Sequence, residues 1–333
     1  MFYVDRYDFL KKKRLFSGYE CLPKYILHYK QIKNTLFLNK VLKYLLFKKK
    51  PKNYLFVNSS KEIKAIIIAF FTQRPVHFLY ADKDAWLILL FKKYFPFFKL
   101  SLFGTFHWPI SIHDDYHLSL FKYFDKVVVM GSKFKFDVDK YCKDVRCIPH
   151  GIDLEFWQRS SDYSKSGLES SRILIIGNSN RDHARQLFIL NVLVSMNLGL
   201  SFFLICGNNE YLSDYLKIPN LRYAKGFISD MELKTMYHDS KAVLLMQYDS
   251  IASNVVLESM AMGIPLITSD IGDVGYYLGR EYPFIQDNIN LNKQLIDFLT
   301  DDNLNFLSQD LITKSKHFTW SKIAEQTNNY FEF

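Results

Sequence analysis

The feature that most restricts how this 333-residue chain can fold is a repeated alternation of short apolar runs with longer amphipathic stretches. A strand buried on both faces of a parallel sheet reads as a short continuous apolar run, and its crossover reads as a helix. In the first half the pattern predicts strands near residues 54–58, 76–80, 100–106, 126–130 and 145–148, with helical stretches at 61–71 and 132–141. Pro75 and Pro96 stand just before strands, where they stop a helix. Residues 158–171 are polar, include six serines, and read as a linker or exposed loop. A second alternating series follows at 172–176, 201–206, 221–223, 242–246 and 265–268. Two such series predict an α/β protein of two Rossmann-like, doubly wound domains facing a cleft. The expected boundaries are 1–150 and 151–317, with 318–333 as a C-terminal helix that is a candidate for crossing back to the first domain. Ligands of such folds bind at the carboxyl ends of the strands.

Length and composition agree with this reading. The chain is long enough for two cores, and 49% hydrophobic against 23% charged residues excludes a disordered chain. The longest apolar runs, 65–71 and 85–91, are far short of the roughly 20 residues that a membrane-spanning helix needs. The opening residues lack the apolar core of a signal peptide. Four cysteines show neither CxxC nor zinc-type spacing, so a reduced, cytoplasmic setting is expected. GxGxxG and Walker A motifs are missing, which argues against dinucleotide oxidoreductases and P-loop enzymes.

Charge is unevenly divided. Residues 1–150 hold 28 Lys and Arg against 12 Asp and Glu, whereas 151–333 hold 15 against 22. So basic a first half suggests an anionic partner: a membrane surface, a nucleic acid or an anionic acceptor. The alternative is an ordinary solvated basic surface. Lysine clusters at 11–14 (with Arg14), at 48–50 with Lys52, and at Lys92 and Lys93 flank apolar stretches. The run 86–91 beside the last pair is either an interfacial contact or a core helix. A peripheral position on the inner face of the cell membrane is the expectation.

The segment 248–270 carries the most chemistry. A strand ends near Met246, Ser253 and Asn254 are good N-cap residues, and an apolar helix follows to Gly263 and Pro265. The N–H groups at Ser253, Asn254 and Val255 would form an anion site suited to a diphosphate. Glu258, one turn inside, would accept hydrogen bonds from the vicinal hydroxyls of a ribose. Taken alone, the segment is equally an ordinary capped helix with a surface glutamate.

It resembles the nucleotide-sugar signature of retaining glycosyltransferases of family 4, enzymes of the GT-B fold that build bacterial polysaccharides. The stretch from Asn254 through Glu258 to Gly263-Ile264-Pro265 follows that pattern. Pro149-His150-Gly151-Ile152-Asp153 resembles the family's interdomain loop. Gly226-Phe227-Ile228-Ser229-Asp230 with Leu233 and Tyr237, and Phe318-Thr319-Trp320, resemble two further segments. The resemblance implies transfer of a sugar from a nucleotide sugar to a hydroxyl of a saccharide or lipid-linked acceptor, with retention at the anomeric carbon and no metal.

Two departures stand out. The glutamate expected eight residues before Glu258 is Ser250, and the adjacent Asp249 is the candidate replacement. The usual Gly-Arg…Lys loop is replaced by residues 177–185, beginning at Gly177. There Arg181 is the candidate diphosphate clamp, because a permanently charged planar fork suits phosphate. Arg185 is the second candidate, or a helix-surface residue. In the first half the resemblance places His107 against the transferred sugar; the alternative is a hydrogen-bonded structural histidine. It also places Gly18 in the loop after the first strand, where glycine lets the backbone approach a ligand. Asp82-Lys83-Asp84 looks like a metal motif but reads as a helix start. A nucleic-acid-modifying transferase and a non-catalytic sugar-nucleotide-binding protein are the rival readings. A UDP-sugar 2-epimerase lacks this combination of motifs.

Overall fold

The computed structural model describes residues 1–5, 15–46, 50–52, 54, 56–158, 170–177, 180–206, 210–226, 228–286 and 289–332. Lysines 11–13, Arg14, Lys48, Lys49, residues 159–169, Asn178, Ser179 and Phe227 lie outside them. The described residues form two compact units: 1–5, 19–150 and 320–332 in one, and 15–18 with 151–319 in the other. Residues 15–18 thus cluster with the second unit and not, as the boundary at 150 implied, with the first.

The first unit runs β1 (Phe2–Val4), β2 (Lys30–Gln31), α1 (Leu36–Leu46), α2 (Ser59–Thr72), β3 (Val76–Phe78), α3 (Ala81–Asp84) and α4 (Trp86–Tyr94). It continues with β4 (Leu102–Phe106), α5 (Asp115–Phe121), β5 (Lys126–Val129), α6 (Ser132–Val138) and β6 (Val145–Cys147). Its sheet is parallel throughout, in the order β2-β1-β3-β4-β5-β6. The inner strands β3, β4 and β5 are almost wholly buried, so their sequences are mostly apolar, with the polar His77 and Thr105 buried and hydrogen-bonded to each other.

Two expectations fail or divide here. The described residues of the expected strand at 54–58 are not one: Phe56–Asn58 form a 3-10 turn leading into α2. Their apolar side chains serve packing instead of a ladder, with the Tyr54 and Phe56 rings edge-on to Trp86. The Ser59 hydroxyl closes the turn on the Phe56 carbonyl. The run 86–91 is a core helix, since Trp86, Ile88 and Leu89 of α4 are buried, and the interfacial reading of it is overturned.

The second unit runs α7 (Leu154–Trp157), β7 (Arg172–Ile176), α8 (His183–Ser195), β8 (Ser201–Cys206), α9 (Leu212–Tyr215), β9 (Leu221–Lys225) and α10 (Asp230–His238). Then come β10 (Ala242–Leu245), α11 (Asn254–Met262), β11 (Leu266–Thr268), α12 (Val274–Leu278), α13 (Leu291–Phe298) and α14 (Asp301–Ser315). Its parallel sheet has the order β11-β10-β7-β8-β9. One continuous core joins the sheet to α8, α11 and α14. The last helix, α15 (Trp320–Phe331), belongs to the first unit, where the Tyr330 hydroxyl donates to the Asp144 carbonyl. Both units are therefore doubly wound α/β structures.

Candidate functional site

The strand order of the second unit locates its ligand site. The chain enters at the centre on β7, winds outward through β8 and β9, then returns to β10 and β11 on the other side. Loops leaving β7 and β10 diverge to opposite faces of the sheet, and the crevice opens at their carboxyl ends. Gly177 follows β7 and Gln247 lies just beyond β10, so the candidate residues of both loops converge there.

The two loops are stitched together. Asp182 N donates to the Met246 carbonyl (3.0 Å), Tyr248 N donates to the Asn180 carbonyl (3.1 Å), and Arg181 and Gln247 form an antiparallel bridge. Arg181 is buried, and its Nε donates to the Ile176 carbonyl at 2.9 Å. Its guanidinium lies on Gly177: a Cβ there would sit 2.6 Å from Nη2, and the φ of +89° also demands glycine. Burial lowers the guanidinium pKa to about 10, so it stays charged at neutral pH while much of its hydration is gone.

Two polar atoms beside this cation are buried with no hydrogen-bond partner, Gln247 Oε1 and Arg185 Nε. Unsatisfied buried groups are rare and mark places where a ligand or water belongs. Arg185 is thus partly buried, not a free surface residue, on the first turn of α8, which Asp182 caps by accepting from Arg185 N. Gln186 ties this turn to β10, donating to the Tyr215 hydroxyl and accepting from Met246 N.

On the other side of the crevice stands α11. Ser253 occupies its N-cap position, but its side chain makes no capping hydrogen bond, and Asn254 is the first helical residue. The N–H groups of Asn254, Val255 and the next residue thus lack the hydroxyl acceptor that such caps normally supply. Glu258 is fully buried, not a surface residue. Its Oε1 accepts from the Ser17 hydroxyl (2.7 Å) and its Oε2 from the Tyr237 hydroxyl (3.0 Å).

Ser17 reaches Glu258 because residues 15–18 are fastened within this unit. The Phe16 ring stacks on Phe156 at 4.0 Å, Phe16 N donates to Asp230 Oδ2, and Trp157 Nε1 donates to the Phe16 carbonyl. Gly18 closes the segment with a φ of +92°. The carboxylate of Asp249 is turned back onto its own chain, accepting from Ser250 N at 2.8 Å. Ser250 is buried, and its carbonyl accepts from Asp273 N. Gly272 presses on it so closely that a Cβ there would lie 2.1 Å from the Ser250 oxygen.

His107 belongs to the first unit, at the end of β4. Its Nε2 donates to the Leu79 carbonyl (2.7 Å), and its ring stacks on Tyr80 at 4.1 Å. Its backbone N–H and that of Trp108 both donate to Asp82 Oδ2. Asp82 and Asp84 are buried in α3, with Asp84 accepting from Asn58. Among the described residues no group of three or more His, Cys, Asp or Glu could hold a metal ion. Within the second unit, then, Gly177, Arg181 and Arg185 lie after β7, and Asp249, Ser253, Asn254, Val255 and Glu258 lie after β10. The structure adds Gln247 and Ser17, which the sequence had not marked. A glutamine after an apolar strand carries no motif, and Ser17 lies 241 positions from its partner.

No family model and no curated protein matches this chain. Solved structures do, and the class of fold they define is GT-B. A sucrose-phosphate synthase from Thermosynechococcus elongatus aligns at TM-score 0.63 and 18% identity over 82% of this chain and 77% of that one. Anabaena HepE, in complex with UDP and glucose, aligns at TM-score 0.69 and 11% identity over 99% and 98%. A UDP-forming trehalose-phosphate synthase from Burkholderia vietnamiensis aligns at 0.64 and 10% over 92% and 89%. At these identities the likeness is one of fold.

Proposed function

We propose that the protein is a glycosyltransferase that takes a nucleotide-diphosphate sugar in its second unit and transfers the sugar to a hydroxyl. The observation that carries this is Arg181, a buried cation at the switch point of a doubly wound sheet, bridged to Gln247 on the loop that leads into the uncapped N-terminus of α11, with orphaned polar atoms on Gln247 and Arg185. A diphosphate satisfies the donors of that set, and Gln247 Oε1, an acceptor, is left for a hydroxyl of the nucleotide sugar. The negative charge of the diphosphate meets Arg181 and the N–H groups of Asn254 and Val255, and its oxygens accept from Arg185. The negative charge that grows on the departing diphosphate is stabilised by the same groups, already in place before reaction. The fold shared with UDP-bound HepE supports the reading.

Glu258 serves the ribose in this proposal. The Ser17 hydroxyl makes the hydrogen bond to Oε1 that a ribose hydroxyl would make, so donor entry displaces or shares that bond. His107, its Nε2 anchored on Leu79, contacts a hydroxyl of the transferred sugar. Asp249 stands in for the carboxylate missing at Ser250. The family resemblance supports retention at the anomeric carbon, a saccharide or lipid-linked acceptor as in surface polysaccharide synthesis, and chemistry without metal or cofactor. No helix among the described residues is long and apolar enough to cross a membrane. We place the protein in the cytoplasm, held peripherally on the anionic inner face of the membrane. The serine at position 250 favours one second reading, a sugar-nucleotide-binding protein without turnover.

The test is a panel of nucleotide sugars read by thermal stabilisation and by release of the nucleoside diphosphate. Stabilisation that Arg181→Ala removes is the expected result. Stabilisation without release in the presence of acceptors selects the second reading. No stabilisation by any donor ends both.

A further inference from the structure

Helices α1, α2 and α4 of the first unit pack side by side, α1 on α2 and α2 on α4. The outermost, α1, is built inside out. Its only buried side chain is polar: Asn39 accepts from Ser60 N and donates to the Val57 carbonyl. Meanwhile Phe37 and Tyr44 are 77% and 88% exposed. Phe37, Val41 and Tyr44 fall on one helical stripe, with Lys40 and Lys43 beside it. An amphipathic helix in a globular protein turns such a stripe to the core; this one turns it outward.

The exposed apolar surface continues across the neighbouring helix ends. Phe71 at the end of α2 and Phe97 after α4 are 78% and 79% exposed. They extend a ridge of touching rings, Phe70 stacked on Phe98 at 4.9 Å and Phe95 beside Phe97 at 6.0 Å. Charge within this stretch of chain is strongly of one sign, although Asp125, from outside it, is exposed and pairs with Lys92 of α4. Residues 21–113 contain sixteen Lys and Arg against three carboxylates, and those three, Glu62, Asp82 and Asp84, are all buried. The basic residues Lys40, Lys43, Arg74 and Lys99 are exposed. Large apolar side chains rimmed by lysine, with no exposed carboxylate within residues 21–113, fit the headgroup and acyl boundary of an anionic bilayer. Nucleic acid fits less well, because the exposed aliphatic Leu36, Leu45 and Ile67 offer bases nothing to stack on.

We propose that this face, α1 with the C-terminal ends of α2 and α4, docks the protein on an anionic lipid surface. The lysines contact headgroup phosphates, and Phe37, Tyr44, Phe71 and Phe97 enter the acyl boundary. This deepens the peripheral placement proposed above by naming its surface, and it stands independently of the transfer chemistry.

The experiment is flotation of the full chain with vesicles of phosphatidylcholine alone and of phosphatidylcholine with a minority of phosphatidylglycerol, at low and high salt. Wild type is expected to float with the anionic vesicles. At low salt, K40Q/K43Q/K99Q is expected to lose about a hundredfold in affinity, each lysine near an anionic leaflet being worth about fivefold. F37S/Y44S/F71S is expected to lose the attachment that survives high salt. These side chains are exposed, so unchanged thermal melting of both variants shows that folding is intact. Failure of wild type to float, or variants that float like wild type at both salts, overturns the proposal. So does binding to poly(U) RNA that is tighter than to vesicles and indifferent to the aromatic substitutions. Calorimetric titration of UDP into the same proteins separates the two readings: if wild type floats but takes up no UDP, the donor site fails and the docking face stands.

Discussion

Glu62 offers a sharp test of the first unit's packing, because its carboxyl is fully buried on α2. The Tyr54 hydroxyl donates to one oxygen and Ile88 N to the other. Burial outweighs those bonds and, with Asp84 nearby, pushes the carboxyl from 4.5 up to about 8. The folded protein therefore keeps a proton that the unfolded chain releases from about pH 4.5 upward. The resulting stability is complete below 4.5 and is lost as pH rises through 8, at about 1.4 kcal/mol per unit, or about 5 kcal/mol in all. His77, His113 and His117 run the other way, lowered by burial to about 3, 3 and 4. Their contribution is present above 6.5 and lost on acidification, so below 6.5 they mask Glu62. The interval from 6.5 to 8 exposes it. The Met1 amino group, lowered chiefly by burial, opposes Glu62 there but is common to wild type and variant. Urea unfolding of wild type and Glu62→Gln at pH 5, 6.5 and 8 is the assay. Between 6.5 and 8 the variant should gain about 2 kcal/mol on wild type. At pH 5 it should be the less stable by about 1 kcal/mol, having lost one acceptor. Parallel profiles would refute a neutral buried carboxyl at this position.

Arg181→Met should raise the stability of the ligand-free protein by about 2 kcal/mol, because a partly dehydrated cation is removed. It should also weaken UDP binding about ten- to a hundredfold; loss of stability together with unchanged UDP affinity in calorimetry would sink the clamp assignment. Glu258→Ala should cost donor affinity on the same scale, whereas Ser17→Ala should cost about 1–3 kcal/mol of stability in urea, from the hydrogen bond lost to Glu258 Oε1. Gly272→Ala combines a φ of +56° with a Cβ 2.1 Å from the Ser250 carbonyl. Unfolding should fall by about 3 kcal/mol or more, and an undisturbed protein would mean that this loop is not pinned as described. Asp249→Asn should lower turnover while sparing donor affinity; equal turnover would release Asp249 from the role of replacement carboxylate.

What could be read in the sequence, and what could not, follows from which forces leave local marks. The strands of the second unit were legible because burial on both faces forces unbroken apolar runs such as Ile173–Ile176, all four buried in β7. The places of Arg181 after β7 and of Glu258 within α11 were legible because a tight turn and a helix start carry their own residue types. Burial of Glu258 was not, since it depends on Tyr237 and on Ser17, whose approach is set by the stacking of Phe16 on Phe156. Residues 54–58 misled because alternation records which side chains are apolar, and a packed turn makes the same record as a half-buried strand. The two apolar helices of the first unit show the deeper limit. The unbroken run in α4 admitted an interfacial and a core reading and is core, while α1, whose apolar stripe has ordinary helical spacing, faces outward. Periodicity gives the stripe; only the buried partner gives its direction. In α1 that partner is Asn39, one polar residue hydrogen-bonded to the start of α2, and it turns Phe37 and Tyr44 away from the protein.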